Sequence, residues 1–253
     1  MIDLHCHVLP GVDDGPDGLA DALAMCRLAA SDGCTVLVAT PHQRHPTFPE
    51  LTRQGIEEAW GRLTAAMAAS AEAYPRVLLG AEVRVDSDLL ADLERDPPEV
   101  LPLAGGRYVL LELPRGPAGP EPEELAHELL LAGWRPVLAH PELIPWLADD
   151  LDRVAGLVER GVLLQVTAAS LVGGFGRYPS ERAWEMVEAG LVHFVASDSH
   201  SPTWRPPGLS AARNALTQRL GSAAAARLLV DNPERVLQDA PLSHLALAGG
   251  ARA

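Results

Sequence analysis

A chain of 253 residues, nearly half of them apolar and with a net charge of −14, can bury one large core and presents a surface that repels nucleic-acid phosphates. No run of about 18 consecutive apolar residues occurs, and the N-terminus reaches Asp3 and His5 without a basic stretch leading into an apolar one. Membrane insertion is therefore not expected, nucleic acid is not an expected partner, and the cytoplasm is the expected location.

Short apolar runs alternate with stretches of helical periodicity, the pattern of βα units around a parallel sheet. Strands are expected at Ile2–His5, Thr35–Thr40, Val77–Glu82, Tyr108–Leu113, Pro136–Ala139, Val162–Val166 and Val192–Ala196. Helices are expected at Leu19–Ala30, Pro49–Ala71, Glu121–Ala132, Leu151–Arg160 and Ser180–Ala189. Gly33, Gly133, Gly161 and Gly190 follow helices where a left-handed cap is wanted. Further helices close the chain, the last capped by Asn232 with Pro233 in its first turn. The stretch "PRGPAGPEPEE" reads as a loop between strand and helix. One domain is expected over residues 1–240, with 241–253 as a frayed tail.

Side chains able to hold a metal fall at or just past the C-terminal end of strand after strand. They are His5 and His7, His42 in "ATPHQRH", Glu82 in "GAEVRV", Glu112 in "LLELP", His140 in "LAHPE", and Asp198 with His200 in "ASDSH". In parallel α/β barrels the loops at that end build one functional face, so these residues are expected to converge. His5/His7 and Asp198/His200 are spaced i, i+2, on one side of an extended chain. Glu112 follows an apolar strand, where an unpaired carboxylate would be costly, so it needs a cation nearby. His45, His127, His193 and His244 stand outside the pattern and read as ordinary hydrogen-bonded histidines.

Imidazoles and carboxylates without sulfur suit zinc, manganese or iron in a reactive centre rather than a thiolate-bound structural zinc. The set is too large for one ion and implies two or three sharing a carboxylate, with water of lowered pKa as the nucleophile of a hydrolysis. Cys6, between His5 and His7, points to the opposite strand face and reads as packing rather than as a nucleophile. The three cysteines, Cys6, Cys26 and Cys34, form no CxxC pair and read as reduced thiols. The chain has no lysine, which excludes Schiff-base chemistry.

The stretches "IDLHCHVLPGVDDGP", "ATPHQRH", "GAEVRV", "LLELP", "LAHPE", "QVTAASLVGGFG", "GLVHFVASDSHSPTWRPP" and "LLVDNPERVL" resemble the PHP (polymerase and histidinol phosphatase) superfamily. More narrowly, they resemble its bacterial capsule and exopolysaccharide tyrosine-protein phosphatases, from residue 2 to about 237. The resemblance implies a distorted (β/α)7 TIM-like barrel with two or three divalent ions, manganese foremost and iron or zinc as alternatives. His5, His7, Glu82 and Asp198 would hold one ion, and Glu82 would bridge to a second held by Glu112 and His140. His42 and His200 would hold the third with an aspartate of "GVDDGP", Asp14 preferred over Asp13. Both aspartates, and Asp17, can alternatively cap the following helix. Arg205 would bind the substrate phosphate, which a guanidinium can grip through two oxygens.

Leu143 stands where the family usually has a second phosphate-binding arginine, and Arg44 or Arg115 are the candidates to compensate. The implied reaction is attack of metal-activated hydroxide on the phosphorus of phosphotyrosine, on the tail of a bacterial tyrosine kinase that regulates capsule or exopolysaccharide synthesis. Two alternatives stand beside it: a phosphoesterase for a small metabolite such as histidinol phosphate, and a non-catalytic metal-binding regulatory module, to which Leu143 points.

Overall fold

The computed structural model of the protein describes residues 1–116 and 120–242. The middle of the expected loop after Leu113, His244 and the tail beyond Leu242 lie outside the described residues.

All strand pairings are parallel. β1 (Ile2–Cys6), β2 (Val36–Ala39) and β4 (Arg76–Leu79) form one sheet in the order β1-β2-β4. β3 (His42–Gln43), β5 (Glu82–Arg84), β6 (Tyr108–Glu112), β7 (Arg135–Ala139), β8 (Leu163–Thr167) and β9 (Phe194–Ala196) form the second in that order. Past the ends of β1 and β9 the sheets meet in a bridge, where His7 N donates to Ser199 O at 2.8 Å and Asp198 N to His5 O at 2.8 Å.

One of the expected seven strands is therefore split, and another is followed by a short strand that was not expected. Pro41 cannot donate to a ladder, so Thr35–Thr40 ends at Ala39 and pairing resumes at His42. The run Val77–Glu82 breaks at Gly80, where a Cβ would sit 3.0 Å from Val38 and Leu103 side-chain atoms. The remaining strands lie within a residue or two of expectation.

Alternation along the strands explains what the sheets carry. Tyr108 and Leu110 of β6, Val137 and Ala139 of β7, Leu163 of β8 and Phe194 of β9 share one apolar cluster with Ile2, Leu4 and Val38. The intervening residues Val109, Leu111, Leu138, Leu164 and Val195 belong to the larger core that the helices cover. Continuing the first face towards the C-terminal end turns it polar, with Glu112 two residues after Leu110, Gln165 two after Leu163 and Asp198 four after Phe194. β6, β8 and β9 thus contribute apolar side chains below and a polar one above.

Helices Leu19–Ser31, Arg53–Ala68, Pro122–Leu131, Leu151–Glu159 and Arg177–Glu188 fill the connections. The second begins later than expected because Thr52 caps it, accepting from Gly55 N at 3.2 Å. Gly33, Gly133, Gly161 and Gly190 all have the positive φ expected of them. The capping roles considered for Asp13, Asp14 and Asp17 are not taken up: helix Leu19–Ser31 starts from Gly18 with no side-chain cap.

Asn232 is a further correction. Helix Ser222–Ala226 passes through a π-helical stretch, Arg227–Asp231, directly into Asn232–Leu237, and Asn232 is itself helical, its Nδ2 donating to His193 O at 2.8 Å. The wider π turn lets a helix absorb Pro233, which has no N–H to give.

Candidate metal centre

Two of the ligand-type residues just past strand ends leave the ordinary backbone regions. His140 has φ 36° and Asp198 φ 51°, left-handed values that cost a non-glycine residue about 1–2 kcal/mol. Both turns leave the side chain over the polar end of the sheet. A third sharp turn, "GVDDGP", closes over it; a Cβ on Gly15 would stand 2.5 Å from His7 O, so only glycine lets that loop lie against β1.

All eight ligand-type residues at the strand ends come together, with Asp14 as a ninth. His5 Nε2 lies 3.2 Å from His7 Nε2, 3.4 Å from Glu82 Oε2 and 3.3 Å from Asp198 Oδ1. His7 Nε2 is 3.3 Å from Glu82 Oε2. His42 Nδ1 is 3.1 Å from Glu82 Oε2 and 3.9 Å from Glu112 Oε2, and its Nε2 is 3.6 Å from Asp14 Oδ1. His200 Nε2 is 3.3 Å from Asp14 Oδ1. His140 Nε2 lies 2.6 Å from Glu82 Oε1.

These separations fit metal ions. Ligand atoms about 2.1 Å from one ion in a tetrahedral array stand about 3.4 Å apart, the spacing seen around His5 and His7. His42 Nδ1 and Glu112 Oε2 are buried with no hydrogen-bond partner among the described residues, which a shared cation would resolve. Three groups each bring their ligand atoms within 4.8 Å of one another: His5, His7 and Asp198; His42, Glu82 and Glu112; and His7, Asp14, His42 and His200. Because His7 and His42 recur, the three form one continuous cluster. This differs from the expected division, since His42 faces Glu82 and Glu112 as well as Asp14.

Neighbouring groups aim the imidazoles. His7 Nδ1 donates to Asp13 Oδ2 at 2.7 Å, His5 Nδ1 to Gln165 Oε1 at 2.8 Å and His200 Nδ1 to Asp198 O at 3.0 Å, which turns each Nε2 towards the cluster. Asp13 also accepts from Gly15 N and His42 N, both at 3.0 Å, and its side chain is fully buried. Asp14 makes none of these bonds and is half exposed, at 51%. The two neighbours divide the work: Asp13 orients, and Asp14 presents its carboxylate to His42 and His200.

Protonation follows the same geometry. Burial, with the nearby His7 charge, lowers His42 to about 4 and His200 below its usual value, so both are neutral imidazoles near pH 7. Burial also works against charge on His140, but Glu82 outweighs it and raises His140 to about 9. The same contest, won by Asp13 and Glu82, holds His7 well above the imidazole range. Glu82 is held well below the carboxylate range because His5 and His140 overcome the burial penalty. Burial and the Glu82 charge push Glu112 up.

The cluster floors a cavity of about 490 Å³ whose walls include Phe48, His45, Arg84, Arg115, Leu143 and Arg205. The family described as "Capsular polysaccharide synthesis, CpsB/CapC" matches residues 1–238. The chain belongs to the CpsB/CapC family. The tyrosine-protein phosphatase YwqE of Bacillus subtilis is 34% identical over 243 residues, covering 94% of this chain and 92% of YwqE. The tyrosine-protein phosphatase CpsB of Streptococcus pneumoniae is 30% identical over 94% of this chain and 99% of its own. A crystal structure from a study of YwqE and CpsB, described as unique metal-dependent tyrosine phosphatases, superposes with a TM-score of 0.90 at 32% identity over 96% of each chain. The β-aspartyl dipeptidase of Fervidobacterium islandicum shares the fold alone, with a TM-score of 0.55 at 14% identity.

Within this CpsB/CapC protein the arginines are distributed differently from expectation. Arg44 is not in the cavity. Its backbone turns at φ 61°, and its guanidinium pairs with Asp86, at 2.6–2.9 Å, and with Asp92. It is occupied by two carboxylates outside the site and cannot compensate for Leu143. Arg115 does line the cavity, as does Arg84, which the sequence reading passed over. Arg84 stands two residues after Glu82 on β5 and pairs with Glu112 Oε1 at 3.1 Å, and the i, i+2 spacing was its signal. Arg205 lines the wall, paired with Asp198, and its buried Nε has no partner among the described residues. His45, set aside in the sequence, stacks on His42 with ring centroids 4.6 Å apart. Gln165 was also missed; a glutamine inside the apolar strand "LLQVT" was its mark.

Proposed function

We propose that this protein is a metal-dependent protein-tyrosine phosphatase, hydrolysing phosphotyrosine in the cavity above the histidine–carboxylate cluster. The two parallel sheets are read as one distorted (β/α)7 barrel, with the Cys6–Ser199 bridge as its seam. The observation that carries the reading is the convergence of His5, His7, Asp14, His42, Glu82, Glu112, Asp198 and His200 on one centre, with His140 joined to it through Glu82, in a chain whose relatives bear the name of that activity.

Four carboxylates in one small cup repel one another and need cations to offset them, so two or three divalent ions are proposed, manganese before iron or zinc. When bound, the ions supply Lewis-acid charge for the phosphoryl oxygens and lower the pKa of water for attack on phosphorus.

The chain's own groups then do the positioning. Asp13, Gln165 and the Asp198 carbonyl fix His7, His5 and His200 so that their Nε2 lone pairs point inward. Arg205, on the cavity wall, offers its guanidinium charge to a phosphoryl oxygen, a charge-assisted contact suited to charge that grows in the transition state. Arg84 and Arg115 line the same cavity and take up the task expected of a residue at 143. A phenolate, conjugate-acid pKa about 10, is a better leaving group than an alkoxide, so the site needs no strong general acid to act on tyrosine esters.

The proposed substrate is the phosphorylated tail of a bacterial tyrosine kinase, a reading that rests on the resemblance to the capsule and exopolysaccharide phosphatases. The proposed compartment is the cytoplasm, where the buried free thiols of Cys6, Cys26 and Cys34 stay reduced. Among the described residues no helix is long and apolar enough to cross a membrane.

The test is turnover by manganese-loaded protein of a phosphotyrosine peptide, a phosphoserine peptide and histidinol phosphate. The aryl ester should be preferred at least about tenfold in kcat/KM, about 1.4 kcal/mol of transition-state discrimination. Equal rates would remove the tyrosine assignment, and preference for histidinol phosphate would make the protein a metabolic phosphoesterase.

A further inference from the structure

The loop that brings Arg205 to the cavity also carries Trp204, and 68% of that residue is exposed, the only tryptophan among the described residues left on the surface. An indole gains more from burial than almost any side chain, and a surface tryptophan beside a cavity is the composition of a recognition hot spot. Its ring centroid stands 6.0 Å from that of His200, which lines the cavity, yet Trp204 itself is not part of the lining. It is a step outside.

Phe175 packs against the same arginine. The Arg205 guanidinium lies 5.0 Å over the Phe175 ring. Phe175 is lifted there by a glycine-rich turn in which Gly173 and Gly176 have φ of 77° and 92°. Val172, at the start of that turn, is also exposed. Trp204, the chain neighbour of Arg205, and Phe175, against its guanidinium, are taken together as a shelf beside the cavity wall that Arg205 lines. A group seated in the cavity leaves only its connecting chain to meet this shelf.

We propose that Trp204 and Phe175 are specificity determinants that bind the polypeptide flanking phosphotyrosine, taking an apolar or aromatic side chain beside the phosphorylated residue while the cavity takes the phosphoaryl group. The assignment rests on the tyrosine-phosphatase reading. Trp204 supplies the contact surface, and Phe175 backs Arg205, so the shelf keeps its shape as the arginine engages phosphate.

The experiment compares metal-loaded wild type, Trp204→Ala and Trp204→Phe on three substrates: a phosphotyrosine peptide with leucine next to the phosphorylated residue, the same peptide with glycine there, and phenyl phosphate. Trp204→Ala should raise KM for the leucine peptide about tenfold relative to KM for phenyl phosphate, with kcat for the two moving together, the scale of a truncated aromatic anchor. It should also erase the preference for leucine over glycine, and Trp204→Phe should restore most of both.

A fluorescence titration with the leucine peptide bearing a non-hydrolysable phosphonate should quench tryptophan emission in wild type and not in Trp204→Phe. This arm reads binding even if wild type turns over none of the esters, a result that would count against the phosphatase reading alone. The shelf is overturned if KM changes equally for peptide and phenyl phosphate, if it changes for neither, or if Trp204→Ala dissolves a dimer in sedimentation while the KM ratio stays put. In the last case the aromatic surface is a contact between copies of the chain.

Discussion

Asp13 and Asp14 are adjacent, identical in chemistry and opposite in their expected behaviour when removed. In the Asp13→Ala variant, His7 Nδ1, Gly15 N and His42 N all lose their acceptor, at 2.7, 3.0 and 3.0 Å, in a place the side chain shields completely from solvent. Each orphaned buried donor costs about 1–3 kcal/mol, so even at the lower bound the loss is about 3 kcal/mol. In a chain of this length about 3 kcal/mol lowers the melting temperature by roughly 6–12 °C. Asp14 is half exposed and bonds to none of those donors, so Asp14→Ala should change the stability of metal-free protein by less than about 1 kcal/mol while weakening metal binding. The assay is urea and thermal unfolding of chelator-treated protein, followed by the same curves with manganese added. Asp13→Ala should be unstable with and without metal, and Asp14→Ala only less stabilised by metal than wild type. If the two variants lose equal stability without metal, the division into an orienting and a presenting carboxylate is wrong.

The arginines give a similar contrast: Arg205→Ala should lower kcat/KM for a phosphotyrosine peptide about 100-fold, as loss of one preorganised donor does, whereas Arg44→Ala should leave kcat/KM within about twofold because its partners are Asp86 and Asp92. An Arg44 effect as large as that of Arg205 would contradict the placement. Metal binding near pH 7.5 should release protons, since His140, raised to about 9, and His7 must both deprotonate while His42, at about 4, already has; calorimetry in buffers of different ionisation enthalpy counts them, and a count of zero refutes the protonation scheme. In metal-free protein His140 has a folded-state pKa above its unfolded value of about 6.5, so its contribution to stability is complete below that pH and is lost as pH rises through about 9. Unfolding curves from pH 6 to 10 should show that fall in wild type and a shallower one in His140→Gln, with parallel curves as the contrary result.

Most of the site could be read from the chain because each ligand follows an apolar strand, a place where a histidine or carboxylate is costly without a partner. Glu112 after "YVLL" and Asp198 after "FVAS" are legible for that reason alone. What could not be read depended on which way a turn throws a side chain. Arg44 lies two residues after His42 and looked equally well placed, but a left-handed backbone sends it to Asp86 and Asp92. Asp14 was preferred over Asp13 as a ligand, but the orienting role of Asp13 was not legible, because spacing does not say which of two carboxylates faces three donors. The strand count erred where proline and glycine interrupt hydrogen bonding without interrupting the direction of the chain. Asn232 and Pro233 carried the marks of a helix start, yet a π turn let the preceding helix run through them.

The most direct test of the central claim is phosphate release from a phosphotyrosine peptide by chelator-stripped protein as manganese is returned in measured amounts, with bound metal counted on the same samples. The account predicts no turnover in metal-free protein, activity that saturates only when more than one ion is bound per chain, and failure of Glu82→Gln to reach it at any occupancy. Turnover without metal, or full activity in Glu82→Gln, would contradict it.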